Sequence, residues 1–146
     1  ALTLAGDMLK GLVPVLIAHA LQADAVVLAG TALAAFLGHL YPVFFGFQGG
    51  KGVATYYGVL FGFSWLSGLA AAVIWLLTAF ITKISSLSAL VSALAAPMIL
   101  WQLTGSTGLT AALGLMTLIL YWRHRSNVRN IIAGKEHKIG VKKQSD

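Results

Sequence analysis

Between Asp24 and Arg123 the chain carries only two charged residues, Lys51 and Lys83. No other feature narrows the fold as far. A soluble domain holds about 25% charged residues, because a water-facing surface needs them. Here the charged share is 10% and 58% of the residues are apolar. Too little polar surface remains to cover a water-facing globule, so the apolar stretches must face lipid. The charge-free run from Lys83 to Arg123 is too long for one crossing, which takes about 20 residues. Thr104-Gly-Ser-Thr-Gly108 divides it with turn-forming residues.

Charges and turns cut the rest in the same way. Apolar segments are expected over residues 1–21, 25–45, 86–103 and 109–122. Two readings stand for residues 52–82. They form one long tilted helix, or a short helix over 53–62, a turn within 63–67 and a full span. A helix over 53–62 rises only about 15 Å, half the hydrocarbon thickness. Ala54, Gly58 and Gly62 recur every four residues, a small-residue stripe that lets helices approach closely. That favours a short helix enclosed by neighbours. The expected fold is all-α, a polytopic membrane helix bundle of about six segments over residues 1–125. A basic segment, 126–146, follows.

Seven of the ten basic residues fall after Tyr121: Arg123, Arg125, Arg129, Lys135, Lys138, Lys142 and Lys143. A basic tail after the last apolar segment marks the cytoplasmic side. Two crossings between Lys51 and Lys83 then put both lysines on that face, and both chain ends become cytoplasmic. With no cysteine, disulfide and thiol chemistry are excluded. Asp7 and Lys10, three apart in the first segment, are expected to pair near the membrane edge.

The chemistry is expected at two clusters. In GFQGGKGVAT, Lys51 stands among Gly49, Gly50 and Gly52. Glycines let the backbone bend and turn N–H groups toward one point, and with an ammonium these suit a phosphate. The loop is not a nucleotide P-loop. That motif needs glycine five residues before the GK pair and Ser or Thr after the lysine, where this chain has Phe45 and Gly52. The plainer alternative is a turn with a snorkelling lysine. The second cluster is YWRHRSNVRN. On a continuing helix His124 and Asn127 share a face; histidine exchanges protons near neutral pH and asparagine positions a hydroxyl or oxyanion. Arg125 and Arg129 suit phosphate oxygens. His39 stands near enough to the glycine loop to join it, and Ser85, Ser86 and Ser88 read as helix N-caps. No catalytic-triad spacing or metal-ligand cluster is present.

These pieces together resemble a known family. GHLYPVFFGFQGGKGVAT, DMLKG, the SSL at Ser85–Leu87 and RHRSNVRNIIAGKEHK are similar to the PlsY family, bacterial membrane glycerol-3-phosphate acyltransferases that use acyl phosphate. The resemblance covers nearly the whole chain. It implies acyl transfer from acyl phosphate to the 1-hydroxyl of sn-glycerol 3-phosphate, giving lysophosphatidic acid, with no cofactor, acyl-CoA, metal or nucleic acid. It implies Lys51, His124 and Asn127 as catalytic residues. It puts Gly49, Gly50, Lys51 and Gly52 at the phosphate-binding loop and Glu136 at the family's last acidic position; with them His39, Ser86 and Arg125 are expected at the substrate phosphates. It further implies a seven-span bundle in the bacterial inner membrane, its site facing the cytoplasm. Membrane lipid and the soluble enzyme that makes acyl phosphate are the implied partners. The family's first span and its Ser/Gly/Asn-rich motif are expected before Ala1, so this stretch alone is expected to be inactive. The competing class is a non-enzymatic membrane protein, a small transporter or lipid-binding subunit.

Overall fold

The computed structural model describes residues 2–141, the Phe45 side chain excepted, and among them all regular structure is helical. Lys142 and Lys143 of the basic tail lie outside the described residues. The helices are α1 Leu2–Ala20, α2 Ala25–Leu40, α3 Val53–Phe63, α4 Trp65–Thr82, α5 Ser85–Thr104, α6 Thr107–Arg123 and α7 Arg125–Ile132. Three of them, α1, α4 and α5, are long and apolar enough to cross a membrane. Helices α2 and α6, of 16 and 17 residues, reach about 24 and 25 Å. Phe80, Ile81 and Leu118 stay exposed on the outer surface, as side chains facing lipid do. This is a membrane protein.

Local chemistry explains where the helices stop. Asp24 caps α2 by accepting from the amides of Val26 and Val27, both at 2.9 Å. Helix α2 ends at Leu40 rather than near Phe45 as expected, because Pro42 pushes Tyr41 out of the helical region. Residues 52–82 adopt the two-helix alternative. Ser64 is extended, closes α3 and caps α4, so the 11-residue α3 is about 16 Å long, roughly half the hydrocarbon thickness. The serines at 85, 86 and 88 are not caps. Ile84 holds that position without a side-chain bond, and Ser88 bonds back to the Ile84 carbonyl at 2.8 Å.

Helix α3 is enclosed because its backbone touches α1. A methyl at Gly58 would strike the Met8 carbonyl, and one at Gly62 would sit 2.8 Å from Val15 Cβ. The predicted small-residue stripe is therefore a helix crossing. Hydroxyls tie the other face. Tyr56 Oη lies 2.8 Å from Thr117 Oγ1 and donates to the Ala93 carbonyl at 3.2 Å. Tyr57 donates to Ser92 Oγ at 2.8 Å and the Ala71 carbonyl at 3.1 Å. In a bilayer such bonds contribute roughly 0.6 kcal/mol each. They keep the half-length α3 fixed between α1, α4, α5 and α6, with its N-terminus at the charged end of the bundle.

Candidate active site

The glycine loop crosses that end between α2 and α3. Gly49 packs against the carbonyls of His39 and Leu40, leaving no room for a Cβ. Gly52 takes φ +86°, a left-handed conformation favouring glycine, and leaves the first turn of α3 without a side-chain cap. Arg123 Nη2 donates to the carbonyls of Gly49 at 2.8 Å and Gly50 at 2.9 Å. His39 lies against Gly50, and its Nδ1 is 3.5 Å from Asp7 Oδ1. Asp7 also pairs with Lys10 at 2.9 Å. The loop is thus clamped by Arg123 of α6 and by His39 and Leu40 of α2, and Lys51 projects from it.

Lys51 Nζ donates to Asn127 Oδ1 at 2.7 Å. Asn127 Nδ2 donates to Glu136 Oε1 at 2.6 Å, and Ser86 Oγ donates to the same oxygen at 2.6 Å. Four sequence-distant residues, from the loop, α7, the tail and α5, therefore form one chain of hydrogen bonds. Burial would raise the Glu136 carboxyl, but bonds from Ser86, Asn127 and Asn130 and the charge of Lys51 outweigh it. The group is held below the usual glutamate value. Glu136, implied as phosphate-binding, is by this geometry an ionised hub that orients Asn127 and Ser86.

His124 stands beside them on a bend rather than on a continuing helix. Its φ and ψ of −95° and 9° end α6 and start α7. The side chain is buried, and Nδ1 lies 2.8 Å from the Leu120 carbonyl. A carbonyl only accepts, so Nδ1 carries the proton and Nε2 the lone pair. Burial lowers the pKa of His124 below the usual histidine value. The Leu120 carbonyl and Glu136 oppose this, Lys51 and Arg123 add to it, and the net shift is downward. A neutral imidazole at pH 7 follows.

Two cavities meet at Lys51. One, of about 820 Å³, has polar residues Lys51, Ser86, His124, Asn127 and Glu136 at one end. Beyond them it is an apolar groove between α1, α3, α4 and α5, lined by Met8, Val53, Tyr57, Phe61, Ala72 and Trp75. The other, of about 620 Å³, is a basic cleft formed by Gly49, Gly50, Lys51, Arg123, Arg125, Ser126 and Arg129. Arg125 also bonds to the Trp122 carbonyl at 3.1 Å and lies over the Trp122 ring. His39 and Gly52 line neither cavity and instead support the loop. Arg123 is the residue sequence reasoning missed. An arginine after an aromatic belt reads as a membrane boundary, and only the folded loop exposes its second task. A cation next to a neutral imidazole, at the mouth of an apolar groove, suits an anion that carries a hydrocarbon chain.

Comparison with known proteins bears on that chemistry. The family model described as Glycerol-3-phosphate acyltransferase matches residues 1–134. A protein of that name from Thioalkalivibrio sulfidiphilus is 55% identical over 97% of this chain and 70% of its own length. One from Methylococcus capsulatus is 46% identical over 97% of this chain and 72% of its own. Among solved structures, the crystal structure of PlsY (YgiH), an integral membrane glycerol 3-phosphate acyltransferase, in its glycerol 3-phosphate form superposes with a TM-score of 0.92. It is 36% identical, over 95% of this chain and 70% of that one. The lysophosphatidic acid form gives 0.91.

Proposed function

The chain belongs to the glycerol-3-phosphate acyltransferase family, and from that premise we propose how its site performs the transfer. The protein is a membrane acyltransferase that acylates glycerol 3-phosphate to lysophosphatidic acid. The donor in our reading is an acyl phosphate whose chain lies in the apolar groove. Its phosphate meets Lys51 and the uncapped amides that open α3, where ammonium and helix dipole both favour an anion. The observation that carries this reading is the hydrogen bond from Lys51 to Asn127 at the polar end of that groove.

The 1-hydroxyl oxygen attacks the acyl carbonyl carbon, and the carbon–oxygen bond to phosphate breaks. Phosphate leaves with the electron pair, and the hydroxyl proton passes to an oxygen of that departing phosphate, so the products are lysophosphatidic acid and hydrogen phosphate. His124 Nε2, neutral and unprotonated, accepts the hydrogen bond from that hydroxyl and orients it. Asn127, fixed by Lys51 and Glu136, holds the reacting groups in register. Lys51 stabilises the charge that grows on the leaving phosphate. Arg125 and Arg129 in the basic cleft attract the phosphate of glycerol 3-phosphate. The clustering of positive charge at this end supports a cytoplasm-facing site in a bacterial inner membrane. The donor then arrives there from the soluble enzyme that makes it.

The test is transfer to labelled glycerol 3-phosphate by the purified full-length protein, with hexadecanoyl phosphate or hexadecanoyl-CoA as donor and with or without chelator. Lysophosphatidic acid should form from the acyl phosphate alone and be indifferent to chelator. Strict dependence on the CoA ester, or loss with chelator, would refute the donor assignment.

A further inference from the structure

We propose that Phe61, seated on Gly68, sets the length of acyl chain that the groove accepts. The inference rests on the reading of that groove as the acyl-donor site, and it adds the residue that selects among donors. Val53, Tyr57 and Phe61 all line the groove, and their spacing of four places them in one stripe down α3. The stripe starts beside Lys51 and runs toward Ser64, where α3 ends and α4 begins. Phe61 is its deepest member. On the facing helix the deepest lining residue is Ala72, which is too small to close the floor. The aromatic ring therefore forms it.

The ring can lie as it does only because α4 offers a glycine beneath it. A methyl built on Gly68 would stand 2.6 Å from both Cγ and Cδ1 of Phe61. No pair of carbons tolerates that distance, so any larger residue at 68 must displace the ring, and the groove is the open space beside it. Phe61 and Gly68 thus act as a stop and its seat. From Val53 to Phe61 the eight-residue helical advance is about 12 Å. An extended chain gains roughly 1.2 Å per bond, so about ten carbons fill that distance. Shorter chains end before the ring, and longer ones have to pass it.

The readout is the ratio of kcat/KM for hexadecanoyl phosphate to that for octanoyl phosphate, measured on the purified full-length protein. Removing the ring in Phe61→Ala should raise the ratio by about fivefold or more, the scale on which an apolar pocket discriminates chain carbons. Gly68→Ala should lower it by a similar factor by pushing the ring into the groove. With the ring gone, the Phe61→Ala/Gly68→Ala double variant should keep the raised ratio, which a general packing defect would not do. If Gly68→Ala does not insert, Phe61→Trp takes its place, with a lowered ratio expected. A ratio unmoved within about twofold, or moved in the same direction by enlargement and truncation, overturns the proposal. Transfer from neither acyl phosphate by the unsubstituted full-length protein would refute the donor reading itself, and this inference with it.

Discussion

Arg123→Met should cost activity without unfolding the bundle, and the loss should pass through Lys51. Methionine keeps an unbranched stem of similar length and removes both hydrogen bonds from Nη2 to the Gly49 and Gly50 carbonyls, at 2.8 and 2.9 Å. It also removes the cation above the Tyr41 ring, 5.6 Å from the centroid. Bonds from a charged donor contribute about 1.5–3 kcal/mol each when dry. The Gly50 bond is exposed, so water replaces part of its worth. A combined loss of about 1.5–3 kcal/mol in transition-state stabilisation is reasonable, a fall of roughly 10- to 100-fold in kcat/KM. The assay is initial-rate transfer to labelled glycerol 3-phosphate, run beside a thermal melt of the detergent-solubilised protein. A double-mutant cycle with Lys51→Ala separates positioning from direct binding. Lys51→Ala alone should cost at least about tenfold, and Arg123→Met added to it should cost less than about threefold more. Full additivity would show that Arg123 acts by itself, and an Arg123→Met rate within about twofold of normal would refute the clamp altogether.

The glycine loop makes a second prediction: Gly49→Ala should abolish turnover, because its methyl would meet the His39 and Leu40 carbonyls. Gly50→Ala should be milder, since its methyl meets the movable His39 ring, 2.8 Å from Nε2; equal rates would argue that loop packing does not matter. In the proposed mechanism the His124 imidazole works neutral, and its pKa lies below the ordinary value of about 6.5. Activity should therefore persist as pH falls through 6.5, decline only in more acidic buffer, and lose that acid limb in His124→Ala. A profile with its midpoint above the usual histidine range would contradict the buried neutral ring. Single cysteines at Gln48 and Ser126, in a chain with none of its own, should be labelled from the same membrane face, and opposite faces would break the one-site arrangement.

Most of the helix pattern was legible because it rests on local chemistry. Asp24, Lys83 and the Thr104–Gly108 turn mark ends that propensity and charge alone would place. The half-length α3 was legible as an alternative, since its small residues at 54, 58 and 62 announce a close neighbour. The bend at His124 was not. RHRSNVRN contains neither glycine nor proline, and the helix breaks where a buried imidazole bonds the Leu120 carbonyl. Lys51, Asn127 and Glu136 could be nominated singly from the sequence, but a bond linking residues 76 apart follows from packing. The roles of Arg123 and of Gly68 beneath Phe61 were illegible for the same reason. Each depends on a partner that only the folded bundle supplies.

The central claim is that one end of the bundle joins an acyl groove to the Lys51, His124 and Asn127 cluster. A structure of this protein with lysophosphatidic acid bound tests it most directly. The acyl chain should run past Val53 and Tyr57 toward Phe61, with the ester within hydrogen-bonding reach of His124 and Asn127. A product whose chain lies on the outer surface of α1 or α2, its ester away from His124, would contradict the account.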